Sequence, residues 1–504
     1  MIAQKLILFY FLLMFFSLSS LVAQVRWPEQ QLTPAVTEAH MQFLASDDLE
    51  GRRTGSRGNN IAARYIAAHF EGYGLKKAPG LNSYYQSFLL EEATAPKSGS
   101  LKMGATDYKF QNDFLILNGA AIDVKTTAVF AGHGWVDATT GHDDYRDLDV
   151  RGKVVFVLPG TPTDEDRRAI ATAAPTKRQL AAERGAVAVF ELYRMSFPWD
   201  FFRRSYARSR IQLTPAGGDN TEIVYGFFKE PSPNPVIELQ NGKSLPIELK
   251  SAAGSLQRLP AQNVVGIVEG TDPDLRNEYV LLTAHYDHVG VGQQGGGAYT
   301  AQDSIFNGAR DNAFGTVALL AAAKALAQQP PARSVIFLAV TGEELGLLGS
   351  TYYSENPLIP LRQVIFNFNA DTGGYNNTGV VGIVGYGRTG TDELMQEGLK
   401  PFGLRVRANP APEQNLFDRS DNVAFARKGV PCVTYTPGFD EFDEEITRYY
   451  HQVADNPDTI DYVYLHKFSQ GFAHIARLIA NRAERPVWKT GDKYEAAGKT
   501  LYNE

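Results

Sequence analysis

Residues 333–350 read RSVIFLAVTGEELGLLGS. Val335 to Val340 is an unbroken apolar run, the pattern of a strand covered on both faces. Gly342 breaks the run, and Leu345, Leu347 and Leu348 predict a helix directly after it. Glu343 and Glu344 stand side by side at the junction. Acidic side chains suit the positive end of a helix dipole, and a single such pair need mean no more than that. What the pair does depends on what else the chain brings to the same place.

The same texture recurs through the second half of the chain. QNVVGIVEG, YVLLTAH, SVIFLAV, QVIFNFNA, VVGIVGYG and CVTYT read as strands, with helices such as FGTVALLAAAKALAQ between them. Strands alternating with helices predict an α/β fold, a mostly parallel central sheet covered by helices on both faces. In such sheets ligands bind beyond the carboxyl ends of the strands.

Those strand ends carry a consistent chemistry. The strand YVLLTA leads to His285, Asp287 and His288, and VIFNFNA leads to Asp371. Asp311 stands at the start of the helix in NGARDNAFGTVALL, and His451 lies in the turn-rich YYHQVADNPDTIDY. Each residue alone has an ordinary structural reading: a core histidine, a helix cap or a turn aspartate. Independent caps and turns have no reason to gather at one sheet edge, however. Imidazole nitrogens and carboxylate oxygens are zinc ligands. Two histidines and three carboxylates are too many for one tetrahedral zinc and suit two ions roughly 3.5–4 Å apart.

The 504 residues are too many for one ordinary domain. A hydrophobic content of 44% and a charged content of 21% are those of a soluble globular protein. A net charge of -7 argues against nucleic acid as a partner. The opening MIAQKLILFYFLLMFFSLSSLVAQ predicts a signal peptide over 1–23, with an uncleaved membrane anchor as the alternative, and therefore an exported protein, periplasmic, cell-envelope or extracellular. No later segment is long and apolar enough to predict stable membrane insertion. The single cysteine, Cys432, leaves no internal disulfide, which fits a bacterial envelope. A change of texture near Asp123, towards short strands with Gly and Asp turns, predicts an inserted α+β domain over 123–257. The main domain then comprises 24–122 and 258–504.

TAHYDHVG, NGARDNAFGT, TGEELGLLGS, NADTGG and YYHQVADNPDTIDY, in that order, resemble the zinc exopeptidases of metallopeptidase family 28. The segment LASDDLEGRRTGSRGNNIAARYIAAHF resembles the family's opening. The resemblance implies two zinc ions per chain, one held by His285, Asp311 and Asp371. Asp311, Glu344 and His451 would hold the other, with Asp311 as the bridge. It implies that Asp287 orients His285 and that Glu343, left off the metals, is the general base. Tyr450 would assist the oxyanion or simply pack. Manganese or cobalt could replace zinc, since geometry and availability select the metal.

DYRDLDVRGKVVFVLPG and AAERGAVAVFEL resemble a protease-associated domain, in which His133 and His142 read as loop residues. Relatives often have Asp before the bridging aspartate, Ser three places after it, and a Ser-Asp-His triplet. This chain has Arg310, Phe314, and Ser420, Asp421, Asn422 instead. Taken together, these readings predict an exported two-zinc aminopeptidase acting on peptides with a free N-terminus. Acidic residues in GFDEFDEEITRYYH are expected to favour that terminus. The alternatives are an inactive receptor or scaffold, a glutaminyl cyclase-like enzyme, and a carboxypeptidase.

Overall fold

The computed structural model describes residues 27–164, 167–195, 198–206, 209–214, 223–232, 234–409 and 411–503. The expected signal segment, 1–23, lies outside the described residues. Contacts divide the chain into two compact units, one running to Ser87 and resuming at Gln262, the other spanning Phe88–Ala261.

The strands of the first unit that position the site are β1 (Ser255–Val268, in this unit from Gln262), β2 (Tyr279–His285), β3 (Ser334–Val340), β4 (Val364–Ala370), β5 (Val380–Val384), β6 (Arg405–Ala408) and β7 (Cys432–Pro437). They lie in the order β1-β3-β2-β4-β7-β5-β6. The central run β3-β2-β4-β7 is parallel, as is β5-β6, while β1 and β5 join their neighbours antiparallel. The helices that matter for the site are α1 (Pro34–Leu44), α2 (Arg57–Gly72), α3 (Phe314–Gln328), α4 (Leu348–Glu355) and α5 (Tyr462–Asn481).

Every residue of β3 is buried. Alternate side chains go to opposite layers: Val335, Phe337 and Ala339 pack with α1, α2, α3 and α5. Ile336, Leu338 and Val340 pack with Tyr353 of α4 and Phe425 on the other face. This is why the strand reads as a continuous apolar run rather than an alternating one. The mostly parallel sheet covered on both faces is therefore present. One detail differs from the sequence reading. The helix after Glu344 starts only at Leu348, because Gly342 and Leu347 both take positive φ and fold the intervening residues into a turn.

Helix α5 packs on α3, the helix that follows Asp311 directly, and a buried ion pair fastens it. Glu29 is fully buried and accepts hydrogen bonds from Arg477 Nε at 2.9 Å and His474 Nδ1 at 2.7 Å. Arg477 also donates to the Gln329 and Ala325 carbonyls at the end of α3. Replacing Glu29 with alanine strands a buried guanidinium, and a loss of about 3–5 kcal/mol is expected. Urea unfolding of the two proteins measures it. Burial raises the Glu29 carboxyl, but His474 and Arg477 outweigh that and hold it below its ordinary value. The contribution is therefore complete above the pH at which the unfolded chain's glutamate titrates. It is lost as pH falls through the lower folded value. A stability difference between wild type and Glu29→Ala that did not shrink in acid would contradict this.

The second unit carries its own sheet. Its strands lie in the order Thr106–Tyr108, Gly99–Met103, Leu245–Ser251, Ile122–Phe130, Val154–Val157, Ala188–Leu192, Val224–Phe228 and Phe114–Asn118. The strands before residue 123 belong here because Gly99–Met103 pairs with Leu245–Ser251 and Phe114–Asn118 with Val224–Phe228. The unit accordingly begins at Phe88, ahead of the change in sequence texture at Asp123.

Candidate metal centre

Strands β2, β3 and β4 are neighbours and end level, with His285 opposite Val340 and Thr283 opposite Asn369. Whatever follows each strand therefore arrives at one edge. His285 closes β2, Glu343 and Glu344 lie three and four residues past β3, and Asp371 follows β4. Asp311 comes from the turn before α3, with extended backbone angles, and caps no helix. His451 is held at φ 54 in the loop ahead of α5.

The donors form two groups that share one residue. In the first, His285 Nε2 lies 3.4 Å from Asp311 Oδ1 and 3.3 Å from Asp371 Oδ1. In the second, His451 Nε2 lies 3.2 Å from Asp311 Oδ2 and 3.0 Å from Glu344 Oε2. Asp311 thus offers one oxygen to each group. His451 Nε2 is buried and makes no hydrogen bond among the described residues. A nitrogen so close to two carboxylate oxygens, without hydrogen-bond geometry to either, is placed as co-ligands around a cation are. All five residues expected as ligands are brought together. A sixth, His288, joins the second group. The sequence reading noted His288 at the strand end but left it out of the ligand set; its imidazole three residues after His285 was the only signal.

Asp287 is fully buried beneath the first group. Its Oδ1 lies 3.7 Å from His285 Nδ1 and accepts from the Glu343 backbone N–H at 3.3 Å. Thr54 donates to its other oxygen at 3.0 Å. Nearby, buried Arg52 donates to the carbonyls of Tyr286, Asn307 and Gly308, bracing the segments that carry His285 and Asp311.

The twin glutamates are electrostatically opposite. Burial lifts the Glu343 carboxyl well above its ordinary range; His285 opposes this, while Asp371 and Glu344 reinforce it. Burial would raise Glu344 too, but His288 and His451 hold it well below. Burial pulls His451 down, yet Asp311 and Glu344 push it up to about 10.

Residues 263–476 match Peptidase family M28, and every donor named above falls within them. These residues form an M28 domain. The chain is 26% identical over 340 residues to aminopeptidase YwaD of Bacillus subtilis, covering 64% of this chain and 62% of that one. It is 28% identical over 250 residues to a probable zinc metalloprotease of Pyrenophora tritici-repentis, covering 48% and 45%. The chain thus spans less than two thirds of either relative. A solved aminopeptidase from Aneurinibacillus sp. strain AM-1 shares the fold at a TM-score of 0.54 and 20% identity. That likeness covers 92% of this chain and 98% of that one.

Where the sequence departs from the M28 pattern, the structure supplies partners. Arg310 is buried, lies 3.6 Å from the Tyr449 ring centre and pairs with Asp455 at 3.4 Å. Asp455 also accepts from the backbone N–H groups of Arg310 and Asp311, so one loop carries His451 and fixes Asp311. Phe314 packs against Phe468 of α5. Asn422 donates to the Phe417 carbonyl in the core.

A cleft opens over these donors, bordered by Glu343, Asp371, Arg419 and Tyr450. The Tyr450 ring stacks on His451 at 4.2 Å, and Arg419 Nη2 donates to the Tyr450 hydroxyl at 3.4 Å. Val384, Leu416, Phe439, Phe442 and Ile446 supply an apolar wall. The segment before His451 does reach the cleft, but through Phe439, Phe442 and Ile446. Of its acids, Asp443 caps the turn at Glu444–Thr447 and Asp440 lies 3.6 Å from Arg407 of β6. His133 and His142, in the other unit, sit beside Pro159 and Asp144 and join neither donor group.

Proposed function

We propose that the chain is a two-zinc aminopeptidase. The observation that carries this reading is Asp311, with one oxygen directed at each of two donor groups at a sheet edge. His285, Asp311 and Asp371 would hold one ion, and Asp311, Glu344 and His451 the other. The donor set fits: imidazoles and carboxylates only, with an excess of negative charge that two divalent cations balance. When bound, the ions supply Lewis-acid polarisation and acidify water.

Glu343 stands off both donor groups and faces the cleft, so it receives a proton from the attacking water and delivers it to the leaving amine. Its raised pKa suits a residue that must hold that proton between the two transfers. Asp287 fixes the His285 ring through its backbone carbonyl, which lies 3.3 Å from Nδ1. The Tyr450 hydroxyl, beside Arg419, is the donor available to a developing oxyanion. The apolar wall accepts an apolar side chain, and the carboxylates at the cleft floor favour an ammonium group there.

Two further parts of the reading rest on sequence. Residues 1–23 would direct export, and the second unit, in its resemblance to a protease-associated domain, would shape access to the cleft. A second reading, release of C-terminal residues, draws on one observation. Arg419 borders the cleft and suits a carboxylate. Amino-acid anilides and a panel of free, N-acetylated and C-amidated peptides decide between the two, with zinc counted in the same preparation. Cleavage of anilides and free N-termini, with little action on acetylated peptides, is expected. Efficient release of C-terminal residues from N-acetylated peptides would remove the aminopeptidase reading and leave the metal assignment standing.

A further inference from the structure

We infer that His288 is the positioning residue for the second metal site, acting through Glu344; this rests on the two-metal reading above. Its Nδ1 lies 2.8 Å from Glu344 Oε1. An ionised carboxylate only accepts, so the proton of this bond sits on Nδ1. Nε2 is buried and has no hydrogen-bond partner among the described residues. The ring is locked in place. Gly308 packs so closely that a Cβ there would fall 2.5 Å from the His288 ring, and His451 meets it edge-on at 5.5 Å.

The consequence falls on Glu344. With Oε1 engaged by a fixed donor, the carboxylate cannot rotate to offer both oxygens to one ion. Its Oε2 is left 3.0 Å from His451 Nε2 and on the side of Asp311. Of the two donor groups only this one has such a clamp on a carboxylate ligand from a buried imidazole. Asp371, the corresponding carboxylate of the first group, faces His285 itself. His288 therefore sets the affinity of one metal position and leaves the other alone.

Zinc titration of the whole protein against a competing chelator tests this. In wild type two sites are expected. His288→Leu should weaken one of them by about 10–100-fold, the scale of lost outer-shell support, and leave the other unchanged. His288→Phe serves the same purpose if the leucine variant does not fold. His288→Asn places an amide N–H where Nδ1 was, and should keep both sites within about threefold of wild type on that scale. Unchanged affinities in the leucine or phenylalanine variant would overturn the inference. So would equal loss in the asparagine variant, which would make the ring nitrogen a direct ligand. Wild type binding a single zinc would instead remove the two-metal reading beneath it.

Discussion

Glu343→Ala is expected to lower turnover by about 10²–10⁴-fold, the range for a lost general base, while zinc content stays at the wild-type value. The two effects separate because Glu343 belongs to neither donor group. Its neighbour, one residue along, faces His451 at 3.0 Å and is held by His288, so Glu344→Ala should lose metal. Elemental analysis of both variants beside their steady-state rates makes the comparison. Should Glu343→Ala shed metal and Glu344→Ala keep it, the roles of the twin glutamates are reversed. Full activity in both would mean that the chemistry lies elsewhere.

Asp311→Asn should be more damaging still, because one carboxylate serves both positions. The amide keeps the shape but loses the charge and one ligating oxygen, so neither position retains its full set of donors. Zinc binding at both should weaken by more than the ~10–100-fold expected for outer-shell partners. Thermal unfolding reads this directly. Wild type at 100 times its dissociation constant for zinc gains about 2.7 kcal/mol per site, whereas Asp311→Asn should gain little at the same concentration. An asparagine variant that still took up two ions at wild-type affinity would show that Asp311 is no bridge. The zinc-free variant should unfold no more easily than zinc-free wild type. The Asp455 clamp acts on the backbone N–H of residue 311, which the substitution leaves in place.

Strand β3 and its neighbours were legible in the sequence because burial on both faces writes itself as an unbroken apolar run, a local property. His285, Glu344 and Asp371 could be placed at one edge because parallel strands deliver their ends there, whereas Asp311 and His451 arrive from loops. Glu343 could be told from Glu344 only through the family resemblance, since nothing local distinguishes two adjacent glutamates. What sets them apart in the fold is the company each keeps: His288 and His451 around one, His285 and Asp371 beside the other.

The rest was decided by contacts between residues far apart in the chain, which no short window records. The second unit starts at Phe88 because strands at 99–118 find partners beyond residue 220. Arg310, which looked like a departure from the family, is accommodated by Asp455 and Tyr449, about 140 residues on. The charge of GFDEFDEEITRYYH predicts a negative field near the cleft that favours a free N-terminus. Folding turned its aromatic side chains to the cleft, since burying Phe439 and Phe442 removes apolar surface from water while burying unpaired carboxylates is costly. Sequence alone determined which residue types reach the sheet edge. Tertiary structure decided which of them share one donor group, because that depends on distances of about 3 Å set by packing rather than by spacing along the chain.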